Sequence, residues 1–407
     1  MKKLLALVMA LCMLFTLCAV AAYADDEIEI SFVAAQYSDN TEPYLKKLCE
    51  DFEKENPGIK INLEVVPWSD MAVKWNTMIS TGQAPDILNE GSYSAFVEDG
   101  LLLPADTYLS DELKANFFQG FYNYNTAVDG TIYAIPLLAS VRGLYYNPEI
   151  FSGAGIEEAP ATWADVEAAC EKIKAKYGDD VYGFGLDFTT NEGQANFCYF
   201  IWNNGGDFLK DGKWDLNSEK NVEALEWAVG LYNKGYTNPN PATETRDDMQ
   251  KIFAEGKMGM LITANFFPGL YPEMEMGLAP IPHNEGCESV AMGVQDLLMV
   301  FDNKYSDAKL AAITKFLDFF YSDEYYSQFM VGESMLPATQ SGAEYLAAQD
   351  PSYGTYVEIL NSAKFYPSSE PLWDDVKAGV RDAMQSALIG DMTCKEALDN
   401  LQAEIAG

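Results

Sequence analysis

"TEPYLKKLCEDFEKENPGIKINLEVVPW", residues 41–68, decides the fold class. Its first half sets Tyr44, Leu45, Leu48 and Phe52 on one face at helical spacing, which predicts an amphipathic helix. Asn56, Pro57 and Gly58 stop that helix, because proline cannot extend the hydrogen-bond ladder and glycine turns freely. "IKINLEVV" (59–66) then alternates apolar and polar, the period of a half-buried strand. Working outward, "EIEISFV" (27–33) alternates and then runs apolar, giving a strand ahead of the helix. "SDMAVKWNTMISTG" (69–82) reads as a helix capped by Ser69 and ended at Gly82, and "PDIL" (85–88) opens a third strand. Strand, helix, strand, helix, strand is how a parallel α/β domain begins.

The same alternation continues. "GTIYAIPLLASVRGLYYNPEIF" (130–151) predicts two short apolar strands on either side of Pro136. "PATWADVEAACEKIKAKYG" (160–178) predicts a helix whose Thr162 and Asp165 stand at capping-box spacing. "VYGFGLDF" (181–188) reads as a short strand, and a helix is expected from Ser218 to about Lys234. Residues 247–270 read helix, turn, strand, loop; "VQDLLMVF" (294–301) is a strand; the tail from Leu372 is helical nearly throughout. With no repeat, low-complexity tract or Pro/Ser-rich tether, two α/β domains have to be joined by several short crossings.

Lys2 and Lys3, an apolar run, and Ala22-Tyr23-Ala24 give residues 1–24 the pattern of an export signal. Cys18 follows Leu17 where a lipid anchor would need a small residue, which argues against lipidation. The remaining 383 residues suit two domains. Their net charge, −36 for the whole chain and −38 without Lys2 and Lys3, repels nucleic acid and anionic membranes. Five cysteines remain, Cys49, Cys170, Cys198, Cys287 and Cys394, odd in number and scattered. They are expected to be small buried residues, not a disulfide framework.

Catalytic patterns are missing. A single histidine, His283, removes H-E-x-x-H metalloproteases and three-histidine zinc sites, and its Pro/Gly-flanked loop leaves a Ser-His-Asp triad with nothing to support it. No phosphate-cradling glycine loop is present, and acidic pairs such as Asp179-Asp180 are expected by chance among 62 acidic residues. No catalytic residue, metal site or cofactor is therefore expected.

Taken in order, several segments resemble the extracytoplasmic solute-binding proteins of ABC importers, specifically the carbohydrate-binding family that includes maltose-binding protein. They are the opening helix and strand of residues 44–68, "MISTGQAPDIL" (78–88), "VEDGLLLPA" (97–105), the crossing 130–151 with Tyr146-Asn147-Pro148 where the family usually has "YNK", "PATWADVEAAC" (160–170), "NNGGDF" (203–208), "FAEGKMGMLIT" (253–263) and "SMLPA" (334–338). The resemblance covers nearly the whole chain after residue 24. It implies an α/β, two-lobed periplasmic-binding-protein-like fold with discontinuous domains and a hinge. The lobes would be 25–138 with 288–338, and 139–287 with 339–407. It also implies a secreted, periplasmic or cell-surface protein, monomeric, that traps a small carbohydrate between its lobes and delivers it to permease subunits.

The resemblance nominates aromatic walls: Phe197 and Trp202 before the "NGG" turn, with Asn203 beside them, Phe266 and Phe267 after the "MGMLIT" strand, and Trp373 near the C-terminus. Gln36, Tyr37 and Asp39 follow the first strand and Asn89, Glu90 and Tyr93 follow "PDIL", where α/β sheets present ligand contacts. Ser140 and Arg142 fall at the first crossing, and Arg142 can equally form a structural ion pair. The alternatives are an extracellular carbohydrate-active enzyme, or the same fold binding a peptide, polyamine or metal chelate.

Overall fold

The computed structural model describes residues 27–189, 192–351, 353–367, 370 and 372–406; the export signal expected over residues 1–24 lies outside them. The strands are β1 (Ile28–Gln36), β2 (Ile59–Pro67), β3 (Ile87–Glu90), β4 (Ala134–Tyr146), β5 (Tyr182–Phe184), β6 (Leu209–Lys210), β7 (Lys213–Trp214), β8 (Met258–Ala264), β9 (Gly277–Ala279) and β10 (Gly293–Val300). The chain forms two compact units, each assembled from separate segments. Unit 1 holds the described residues up to Lys114 with Ala127–Ile135 and Leu297–Tyr325. Unit 2 holds Ala115–Thr126, Pro136–Asp296 and the described residues from Tyr326 onward.

In unit 1, β1 pairs in parallel with β2, from Ile28 opposite Ile59 to Gln36 opposite Pro67, and on its other edge with β3. Leu297–Val300 of β10 closes the far side of β3 in antiparallel register. The helix expected after β1 spans Thr41–Glu55 and buries Leu45, Leu48, Cys49 and Phe52. Phe52 and Phe32 meet Phe316 edge-to-face at 5.2 and 5.9 Å, pinning that helix and the helix Asp307–Phe320 to the sheet. The second helix differs from expectation at its start. It spans Trp68–Ser80 with Pro67 at the N-cap, so it leaves β2 directly and needs no side-chain cap.

In unit 2, Arg142–Tyr146 of β4 pairs antiparallel with Met260–Ala264 of β8 and, through Leu144–Tyr146, with β9; β5 runs parallel to β8. The two runs predicted around Pro136 form one strand, since a proline removes a single ladder donor without forcing the chain to turn. Thr162 and Asp165 make the predicted capping box, and Thr245 with Asp248 makes a second. Such caps are worth about 1 kcal/mol each. The helix Gly193–Trp202 is buried on every side, at the centre of an apolar core shared with the helices Glu219–Asn233, Trp373–Ile389 and Cys394–Ala406.

All five described cysteines are free thiols; four are buried and Cys287 is half-buried. No helix of the described residues is long and apolar enough to cross a membrane.

Candidate ligand-binding site

In unit 1, the candidates gather where the parallel strands end. Tyr37 leaves the end of β1, and its hydroxyl donates to Asn89 Oδ1 at 3.2 Å. Asn89 is fully buried and fully used: the same oxygen accepts the Ala35 N–H at 3.0 Å, and Nδ2 donates to the Leu297 carbonyl. It therefore positions Tyr37 and offers nothing to a ligand. Glu90 accepts the Trp75 indole N–H at 3.1 Å and the Gly91 N–H at 2.8 Å, which aims its carboxylate while leaving it part-exposed. Tyr93 packs on the same apolar cluster as Tyr37 and Trp75. Gln36 is half-buried at the strand end, and Asp39 stands exposed on the turn that follows.

Trp68 joins them, although the sequence reading passed over it. At the carboxyl end of β2 its ring meets Tyr37 edge-on at 5.8 Å while 37% of the residue stays exposed. The available signal was a tryptophan directly after a predicted parallel strand.

In unit 2, β4 carries Ser140 and Arg142, and the end of β8 brings Asn265 and Phe266 beside them. Ser140 Oγ and the Val141 N–H both donate to Asn265 Oδ1, at 2.7 and 3.1 Å. Arg142 reaches Ser140 Oγ at 3.4 Å and Glu192 Oε1 at 3.9 Å. That same carboxylate oxygen takes Arg246 at 2.5 Å, and the Arg246 guanidinium lies 5.5 Å from the Phe266 ring centre. Ser140, Arg142 and Phe266 are thus parts of one cluster. Glu192 and Arg246, 54 residues apart, were invisible to sequence reading because only tertiary folding pairs them.

Burial opposes the charge on Arg142, but Tyr199, Glu192 and Tyr366 outweigh it and hold its pKa above the ordinary value. Burial also pushes the Tyr199 and Tyr366 phenols upward, so both stay neutral near neutral pH. Nearby, burial raises the Asp187 carboxyl, against hydrogen bonds from the Thr189 and Arg246 N–H groups.

Tyr366 continues the cluster to Trp373, whose ring lies 5.1 Å away. Phe208 touches both Trp373 and Trp202, at 5.2 and 6.4 Å. The Trp202 indole N–H donates to Asp207 Oδ1 at 3.0 Å. Trp202 and Trp373 are buried against the apolar core, with their polar neighbours on one edge.

Two proposed wall residues are core residues. Phe197 has no exposed surface and packs against Phe208. Phe267 has none either and is enclosed by Tyr145, Phe253 and Tyr271. Adjacent residues on a helical turn face different ways, so Phe266 meets Arg246 while its neighbour fills the interior.

Asn203 is likewise structural. It donates to the Tyr199 and Val290 carbonyls and accepts the Val290 N–H, while Asn204 donates to the Lys220 carbonyl and Glu223. Gly205 takes φ +73°, and a Cβ on Gly206 would stand 2.1 Å from Asn221 Oδ1. The Asn-Asn-Gly-Gly sequence is thus a turn that ends the helix, with both asparagines buried and Gly205 exposed. Among the described residues, no group of His, Cys, Asp and Glu side chains could hold a metal ion.

Three comparisons bear on this geometry. A binding protein of Brucella abortus (strain 2308) is 33% identical over 377 residues, covering 91% of this chain and 90% of that one. The cyclic alpha-maltosyl-1,6-maltose binding protein from Arthrobacter globiformis superposes with a TM-score of 0.80 at 23% identity, covering 93% and 98% of the two chains. The sugar-binding protein MalE from Xanthomonas citri gives 0.78 at 22%, covering 93% and 96%. Both solved structures share the two-lobed α/β fold. The family model for bacterial extracellular solute-binding proteins matches residues 38–327, and the chain belongs to that family.

Proposed function

We propose that this protein captures a carbohydrate outside the cell and passes it, chemically unaltered, to the permease of an ABC importer. One observation carries the carbohydrate reading: Trp68 and Tyr37 meet edge-on at the carboxyl ends of β2 and β1, and the part-exposed Glu90 carboxylate, aimed by Trp75, stands at the end of the adjacent β3. Sugars present apolar C–H faces and hydroxyl edges. An aromatic ring covers the face for about 1 kcal/mol beyond the area it buries. Hydrogen bonds from hydroxyls to charged groups add roughly 1.5–3 kcal/mol each. Capture at micromolar concentration needs about 8 kcal/mol, which a few rings and a handful of such bonds supply. Arg142, Ser140, Phe266, Trp202 and Trp373 are the proposed contributors from unit 2. The two solved sugar binders named above support the same ligand class.

Closure on a hinge is the proposed mode of capture, driven by ligand contacts made to each unit. Binding without catalysis, export through residues 1–24 and a monomeric state complete the reading. The test is a thermal-shift panel of oligosaccharides, polyamines and peptides on the chain from residue 25. Oligosaccharides should raise Tm in proportion to RT ln(1 + [L]/Kd), and polyamines and peptides should not. Stabilisation by a polyamine or peptide alone would replace carbohydrate as the ligand class.

A further inference from the structure

We infer that the ligand carries an oxyanion, a carboxylate or a phosphate, and that Arg142 reads it; this deepens the carbohydrate reading and rests on it. Arg142 is only 7% exposed, yet its pairing is poor. Charge-assisted N–H···O bonds close to about 2.7–2.9 Å. Arg142 stands 3.9 Å from Glu192 and 3.4 Å from Ser140 Oγ, while Glu192 closes to 2.5 Å on Arg246. The carboxylate is thus committed to Arg246. Tyr199 also favours the Arg142 charge, but a single hydroxyl oxygen cannot fill both positions of the fork. Among the described residues, Arg142 Nε has no hydrogen-bond partner and is buried, and Arg246 Nε is in the same state.

The charge is stabilised by its surroundings, but a buried N–H left without an acceptor still costs free energy. The Nε edge of a guanidinium is a planar fork that fits the two oxygens of a carboxylate or phosphate side-on. A single sugar hydroxyl fills half of that fork and brings no charge. The acidic surface of the whole chain opposes anions at long range, so the preference has to be made locally. Glu192 closes on Arg246 and stands farther from Arg142, which leaves the Arg142 Nε edge without a matching pair of oxygens.

The experiment is titration calorimetry on the chain from residue 25 with oligosaccharides paired by skeleton, each neutral member against its uronic-acid counterpart. A sugar phosphate and inorganic phosphate form a second arm. Acidic members should bind at least tenfold tighter than their neutral partners. Arg142→Lys, which keeps the charge and loses the fork, should erase that preference, bringing acidic and neutral members within twofold of each other whatever the variant's overall affinity. Preference for the uronate identifies the oxyanion as a carboxylate, and preference for the sugar phosphate identifies it as a phosphate; either supports the inference. Neutral members binding as tightly as acidic ones would overturn it and leave the carbohydrate reading standing. Failure of every arm would overturn both. The comparison on the unaltered chain decides the matter even if the variant does not fold.

Discussion

The Lys364 ammonium lies 5.6 Å from the centre of the Trp202 ring, while its charge is held by Asp207 Oδ2 at 2.8 Å. Asp207 in turn accepts the Trp202 indole N–H through its other oxygen. Lysine, carboxylate and indole therefore fix one another, and the orientation of the Trp202 ring depends on all three. Replacing Lys364 with Met removes a cation–π contact worth about 0.5–1 kcal/mol at a part-exposed site. Stability should change by no more than that, and affinity for an oligosaccharide should fall two- to fivefold, read by denaturant melts and calorimetry. Unchanged affinity would show that the ring does not face the ligand.

Trp68 separates binding from folding most cleanly, because more than a third of it is exposed. Trp68→Ala should cost under about 1 kcal/mol of stability, in keeping with a surface substitution. It should weaken sugar binding at least tenfold. Trp373→Ala should weaken binding as much but also lower the melting point, since its ring packs on Phe208 and Tyr366. Equal binding by the Trp68 variant and the parent would remove unit 1's aromatic face from the site.

Phe267→Ala should behave in the opposite way. The side chain is enclosed by Tyr145, Phe253 and Tyr271, and truncating such a phenylalanine costs about 3–5 kcal/mol. The folded fraction should retain parental affinity for sugar, measured below the melting transition.

How far the sequence reached depends on the range of the interactions involved. The helix Thr41–Glu55, the Thr162 capping box and the Ser218 cap were legible because periodicity and capping act within a few residues. Tyr37, Glu90 and Trp68 lie at strand ends, a place the α/β pattern itself marks. Phe267 was misread because two aromatics in sequence say nothing about which one faces the core, and Phe197 because the helix that carries it is buried on every side. Glu192 and Arg246 were missed because neither carries a motif and their pairing spans 54 residues. Asn203 was expected beside the aromatic wall, yet its amide is consumed by the Tyr199 and Val290 backbone.

Asp86 sets an acid limit on unit 1. Burial alone would raise its pKa, but the Lys309 ammonium at 2.8 Å and the Ser31 N–H outweigh burial and hold the carboxyl below its ordinary value. A carboxyl with a depressed folded pKa contributes stability that is fully present above its unfolded pKa of about 3.9. That stability is lost as pH falls through the lower folded pKa. Asp86→Asn should cost on the order of 1–3 kcal/mol at pH 7 by removing the charge-assisted bonds from Lys309 and Ser31. The difference between parent and variant should shrink steadily below pH 4, followed by urea melts across pH 2–7. A difference that stays constant to pH 2 would contradict the pairing.

The most direct measurement is calorimetric titration of the chain from residue 25 with the oligosaccharide that stabilises it most, followed by chromatography of the recovered sugar. One molecule should bind per chain at micromolar affinity or better, and the sugar should return with no new reducing ends. Binding confined to non-carbohydrate ligands, or a cleaved sugar, would contradict capture and delivery.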